Sequence, residues 1–156
     1  MTDIELLKIS QEVIKKSYVK KIVNVSCAIL SKSGQVYTGV NVHGISNHVC
    51  AEMSALTQAY LNNDYDLALI VATHYNGGEP CVLNPCGNCR QILVNHCPDI
   101  QVIIQTRTDG LKKYGINNLI PDAMENPYSM VRFSFLTAPA KPYSTANCFR
   151  RTASIP

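Results

Sequence analysis

Two short cysteine-bearing segments hold the densest chemistry in this sequence. One is Cys86-Gly87-Asn88-Cys89, directly after Pro85. Thiols at i and i+3 share one face of a helix. A helix N-terminus lowers thiol pKa and so favours the thiolate. Such a pair can bind one tetrahedral metal ion, take part in redox exchange, or form half of a structural zinc site. Pro85 has no N–H and pre-sets the chain direction into the helix. The other segment is Cys50-Ala51-Glu52, at a second expected helix start, where a thiol and a carboxyl can face one cavity. Cys50 raises the thiolate ligands to three, and three ligands with an open fourth position describe a catalytic zinc rather than a structural one. Water at that position would have its pKa drawn toward ~7. A carboxylate beside it can take the water's proton and pass it to a substrate nitrogen. A closed structural site, with His48 or His96 as fourth ligand, leaves Glu52 without a role.

These segments need elements to hold them. Thr2 followed by Glu5 is a capping box, and Ile4, Leu7, Val13, Ile14 and Tyr18 recur near helical spacing, so a helix is expected over about 3–18. Val23, Val25, Cys27 and Ile29 alternate as in a half-buried strand. Ser31-Lys32-Ser33-Gly34 supplies a turn into a second strand over 35–41, and 43–49 reads as a loop. Residues 50–61 lack Gly and Pro and read as a helix. The apolar run 67–73 reads as a strand covered on both faces. Loop 75–85, a helix over 87–95 and a strand over 100–105 follow, then a turn at Asp109-Gly110 and a short helical turn near 116–120. Strands separated by helices should pair in parallel through crossovers. The expected architecture is a three-layer α/β/α sandwich.

Composition narrows the class. The chain has 156 residues, 46% of them hydrophobic and 16% charged, which excludes a disordered or fibrous protein. No apolar run approaches the ~20 residues of a membrane span. The first residues lack a basic segment and a long apolar one, so no signal peptide and a cytoplasmic location are expected. Seven cysteines in a reducing compartment point to metal binding or catalysis rather than disulfides. The net charge of +3 is unevenly placed. Residues 1–129 carry ten Lys/Arg against eleven Asp/Glu, whereas 130–156 carry Arg132, Lys141, Arg150 and Arg151 and no acid. We therefore divide the chain into a catalytic body, 1–129, and a basic C-terminal extension, 130–156. The body has no basic stripe of the kind nucleic-acid binders use, so nucleic acid is not the expected partner.

Cys50-Ala51-Glu52, with Pro85-Cys86-Gly87-Asn88-Cys89-Arg90-Gln91 beginning 33 residues after Glu52, resembles the zinc signature of the cytidine deaminase superfamily. The resemblance extends over about 22–124 and includes Leu119-Ile120-Pro121-Asp122-Ala123. It implies a five-stranded mixed sheet in the α/β/α sandwich and one Zn²⁺ per subunit on Cys50, Cys86 and Cys89. It also implies Glu52 as the catalytic proton carrier, a cytosine nucleoside and water as substrates, and a homotetramer. Within the superfamily, Thr38-Gly39-Val40-Asn41-Val42 and the short segment to Cys50 are most similar to the blasticidin-S deaminase group. Nucleoside cytidine deaminases usually carry Asn-x-Glu, both side chains holding ribose; this chain has Asn41-Val42-His43. Val23 also lacks the aromatic residue usual two positions before the residue at Val25. These departures fit a cytosine base on an unusual sugar, with salvage of cytidine or deoxycytidine as the alternative. A non-catalytic zinc-stabilised interaction module is the alternative from another class.

Further site residues are expected around this centre. Asn41, Ala51, Cys27 and Tyr128 are assigned to substrate contact: Asn41 to a sugar hydroxyl, Tyr128 to closing over the base. Asn41 capping a strand end and Cys27 sitting in the core are the competing readings. Three thiolates on Zn²⁺ leave a net −1, and Arg90, beside Cys89, is placed to offset it. Met53 stands where many three-cysteine relatives have an arginine. His43 is read as a loop residue at the pocket mouth.

Overall fold

A computed structural model describes residues 1–124. Tyr128 and the extension 130–156 lie outside the described residues. Helix α1 spans Asp3–Ser17. Its capping box forms as expected: Glu5 N donates to Thr2 Oγ1 at 3.2 Å, and Thr2 N donates to Glu5 Oε2 at 2.6 Å. Strands β1 (Val25–Ser31) and β2 (Val36–Val40) make the expected antiparallel hairpin. Two short strands, β3 (Val42–His43) and β4 (His48–Val49), pair with each other where a loop was expected. Helix α2 (Ala51–Leu61) leads into β5 (Leu67–His74). Strand β6 (Cys81–Leu83), helix α3 (Gly87–His96), β7 (Gln101–Gln105) and β8 (Leu111–Gly115) follow, then a 3₁₀ turn at Ile116–Leu119.

The main sheet has six strands rather than the expected five. Its order is β2-β1-β5-β7-β8, with β6 also paired to β5. Strands β5 and β7 pair in parallel across α3, as the crossover rule requires. They meet only at Leu69–Gln101 and Ile70–Val102. Beyond that point β6 takes the edge of β5 at Ala72, Thr73 and His74. Asn84 then clasps β7: its Nδ2 donates to Gln105 O at 2.9 Å and its Oδ1 accepts from Gln105 N at 2.8 Å. The parallel strands therefore part toward their C-terminal ends, the place where ligands enter open α/β sheets.

Strand β1 is buried on both faces, not half-buried as its alternation suggested. Cys27 and Ile29 pack with Ala51, Ala55, Leu56 and Leu93 of α2 and α3. Ala28 packs on the other face with Leu6 of α1, Leu69 and Val71. Two helical layers thus enclose one sheet. The α1 side also holds a buried hydroxyl cluster. Ser10 Oγ, Ser26 Oγ and Thr73 Oγ1 lie 2.9–3.0 Å from one another, and Ser26 Oγ donates to Ser10 O at 2.6 Å. With the Ser26 proton committed, two protons serve three contacts. Thr73→Val keeps the shape and leaves Ser10 able to donate to Ser26. We expect a loss of only about 1 kcal/mol in urea unfolding. A loss several times larger would mean that the cluster, rather than apolar packing, anchors α1.

Gly39 sets how closely the sheet meets α2. A Cβ there would collide with Ala55 N and lie 2.7 Å from both Ala51 O and Ser54 Cβ. Ser54 Oγ donates to Val40 O at 2.9 Å and ties the same turn to β2.

Candidate active site

Cys50 is the N-cap of α2 and Cys86 the N-cap of α3. Two helix N-termini, each with positive dipole ends, therefore converge on the cysteine sulfurs. Cys89 lies one turn into α3, fully buried, and its N–H donates to Cys86 Sγ at 3.5 Å. The ligand atoms of Cys50, Cys86 and Cys89 all lie within 4.8 Å of one another, with Cys50 Sγ and Cys86 Sγ 3.9 Å apart. Three sulfurs around a tetrahedral zinc at ~2.3 Å would stand roughly 3.8 Å apart, so the donor set fits zinc in type, number and spacing. Among the described residues, neither His48 nor His96 belongs to this cluster.

The electrostatics also call for a cation. Burial, then the Glu52 charge, push the Cys89 thiol well up. Burial raises Cys50 more than its contact with Cys89 lowers it. Burial opposes ionisation at Cys86 as well, but the Cys89 N–H and the neighbouring thiols outweigh it, so Cys86 is lowered. Three adjacent thiolates become tolerable when a divalent ion supplies the opposing charge.

A cavity of about 360 Å³ opens beside the sulfurs. Its wall includes Cys50, Cys86, Ala51 and Glu52. The Glu52 side chain reaches in from the first turn of α2 while the residue is only 5% exposed. Burial raises its pKa; hydrogen bonds from its own N–H and from Cys89 offset this in part. The structure thus brings Cys50, Cys86, Cys89, Glu52 and Ala51 together.

The remaining residues divide. Asn41 lines the cavity, but its side chain is engaged: Oδ1 accepts from Asn24 N at 2.9 Å and Val25 N at 2.7 Å, and Nδ2 donates to Asn24 Oδ1 at 3.0 Å. That leaves one Nδ2 hydrogen, so the strand-capping reading describes most of what this side chain does. Cys27 does not line the cavity. Strand alternation turns it into the α2-side core, where it is fully buried and its thiol is held well up by burial and then by the Glu52 charge. Arg90 lies beside Cys89 but directs its donors elsewhere: Nε to Pro85 O at 2.9 Å and Nη1 to Leu119 O at 2.8 Å. It fastens the turn entering α3 to the 3₁₀ turn. Met53 is half-buried against the core. His43 stands on the cavity wall, on β3 rather than in a loop.

Sequence reasoning missed Asn24, His74 and Asn84 and considered His48 only as a fourth metal ligand; all four line the cavity. The available signal was His74, a polar residue closing the apolar run of β5 at the carboxyl end of a buried strand.

Comparison with known proteins agrees with this geometry. The family described as "Cytidine and deoxycytidylate deaminase zinc-binding region" matches residues 1–106. Blasticidin-S deaminase of Bacillus cereus is 31% identical over 126 residues, covering 76% of this chain and 89% of that protein. Cytidine deaminase of Halalkalibacterium halodurans is 32% identical over 105 residues, covering 64% of this chain and 75% of that protein. Among solved structures, cytidine deaminase from Burkholderia pseudomallei superposes with TM-score 0.66 at 25% identity, over 80% of this chain and all of that one. With fold, sulfur cluster and sequence in agreement, the chain belongs to the zinc-binding cytidine and deoxycytidylate deaminase family.

Proposed function

We propose that this protein hydrolytically replaces the 4-amino group of a cytosine base carried on a sugar or sugar-like ring, giving the 4-oxo form and ammonia. The observation that carries this reading is a buried carboxyl, Glu52, facing the same cavity as a three-thiol zinc site. Cys50, Cys86 and Cys89 would hold the zinc, which when bound would supply the Lewis acidity that lowers the pKa of water toward neutral. Glu52 accepts the proton released from water and gives it to ring N3; it then takes the remaining proton from the C4 hydroxyl and passes it to the amino nitrogen, which departs as ammonia as C4 becomes a carbonyl. Burial suits it to that exchange, because a carboxyl with a raised pKa both takes and returns protons near neutral pH. Ala51, at the start of α2 and on the cavity wall, presents only a methyl group to a base approaching the helix terminus. Arg90, next to Cys89 in sequence, holds the α3 turn through Pro85 O and Leu119 O and is assigned to offset the net negative charge of the centre.

The preferred substrate is a blasticidin S-like cytosine nucleoside; cytidine or deoxycytidine is the second reading, supported by the cytidine deaminase relatives. Purified zinc-loaded protein is to be assayed for ammonia release from blasticidin S, cytidine, deoxycytidine and cytosine. Turnover of blasticidin S ahead of cytidine is expected. The reverse order would favour salvage, and no ammonia from any of them would favour a zinc-stabilised interaction module. We further propose a homotetramer, supported by exposed Val42, Ile45 and Val49 on the β3–β4 hairpin next to the cavity. A cytoplasmic setting agrees with the six described cysteines all being free thiols. Among the described residues no helix is long and apolar enough to cross a membrane.

A further inference from the structure

The mouth of the cavity is built from Asn24, Asn41, His43, His48 and His74, and two backbone amides decide where the protons on two of those imidazoles lie. A backbone N–H can only donate. Asn24 N and Val25 N both point at one atom of Asn41, which must therefore be Oδ1. The Asn41 Nδ2 then faces Asn24 at 3.0 Å, and an amide nitrogen also only donates, so the atom it meets is Asn24 Oδ1. With Asn24 oriented in this way, its Oδ1 meets His43 Nε2 at 3.2 Å and its Nδ2 meets His74 Nε2 at 3.3 Å. His43 Nε2 must carry a hydrogen. His74 Nε2 must be bare, which makes that ring the neutral Nδ1–H tautomer.

We infer that Asn24 is a positioning residue that fixes two cavity imidazoles in opposite senses, accepting from Nε2 of His43 and donating to Nε2 of His74, and that this pair selects a hydroxyl-bearing ring attached to the cytosine. The substrate half rests on the deaminase reading above; the tautomer half stands without it. A hydroxyl both gives and takes a hydrogen, so it complements either ring. Among the described residues, the cavity wall has no Asp, Glu, Lys or Arg apart from Glu52 beside the sulfurs, so the polar contacts these residues offer there are hydrogen bonds. Its volume of about 360 Å³ falls in the range of pockets that take a whole small-molecule ligand rather than a single ring. His48 packs its ring 5.8 Å from that of His43 and supports it from β4.

Two measurements on the zinc-loaded protein test this. Long-range ¹H–¹⁵N spectra of ¹⁵N-histidine-labelled protein should show His74 protonated on Nδ1 and His43 on Nε2. In Asn24→Asp, which can only accept, the His74 proton should move to Nε2. Wild-type His74 carrying its proton on Nε2 would overturn the assignment, whether or not the variant folds. In the second arm, His43→Ala should raise KM for cytidine roughly tenfold, the equivalent of one lost hydrogen bond. It should leave kcat/KM for 1-methylcytosine, which has no hydroxyl, unchanged. An equal loss on both compounds would overturn the selecting role. Wild-type protein that releases ammonia from neither compound nor from blasticidin S would overturn the deaminase reading and the substrate half with it; activity on blasticidin S alone would overturn only the substrate half, while the spectra would still decide the part played by Asn24.

Discussion

Glu52→Gln is expected to lower kcat by about 10²–10⁴-fold, the contribution general acid–base groups typically make, with zinc content unchanged at one per chain. The substitution keeps the size and shape of the side chain and removes only the exchangeable carboxyl proton. Glu52 is not one of the three clustered sulfur ligands, so metal should stay. The residue is nearly fully buried and burial already disfavours its ionised form, so a neutral amide there should not disturb the fold. Zinc content by atomic emission, circular dichroism and ammonia release on the same sample separate the possibilities. Full activity in the variant would remove Glu52 from the chemistry. Loss of zinc together with activity would make it part of the metal site instead.

Gly39→Ala should act through α2. Gly39 is not required by its backbone angles but by contact: the added methyl meets the Ala55 backbone nitrogen, the Ala51 carbonyl and the Ser54 Cβ. None of these is the end of a flexible side chain, so the helix must move off the sheet. Forced overpacking of this kind costs about 1–3 kcal/mol or more. The part that moves is the turn carrying Cys50 and Glu52, so zinc affinity should also fall, by roughly the 10–100-fold seen when the support of a metal ligand is lost. Urea unfolding and chelator competition measure the two effects. Ser54→Ala is the control, since it adds no atom and releases the hydroxyl's hydrogen bond to Val40 O and its longer contact with Cys50 O; it should cost about 1 kcal/mol. Wild-type zinc affinity in Gly39→Ala would mean that the sulfur cluster is positioned without this contact.

Local rules were legible from the residues. The Thr2–Glu5 box, the turn at Ser31–Gly34 and the apolar run of β5 all depend on neighbours within a few positions, and each element formed where expected. Strands β3, β4 and β6, of two or three residues each, were not legible. A strand that short has no periodicity and exists only through its partner. Strand β8, Leu111–Gly115, begins with Leu-Lys-Lys and carries no apolar alternation, and is defined by its antiparallel register with β7.

By itself the sequence determined which chemistry was available: three thiols and a carboxyl at two helix starts, types and spacings that suit zinc and proton transfer. Ligand identity and i, i+3 geometry are properties of short segments, so they survive without a fold. Tertiary structure decided where the other side chains spend their hydrogen bonds and charge. It committed most of the Asn41 amide to two backbone N–H groups, turned Arg90 to the carbonyls of Pro85 and Leu119, and placed Cys27 in the core. It also brought Asn24, His43 and His74, which lie up to 50 residues apart, into one wall. Side chains with several possible partners take the ones that packing brings within about 3 Å, and no spacing along the chain encodes that distance.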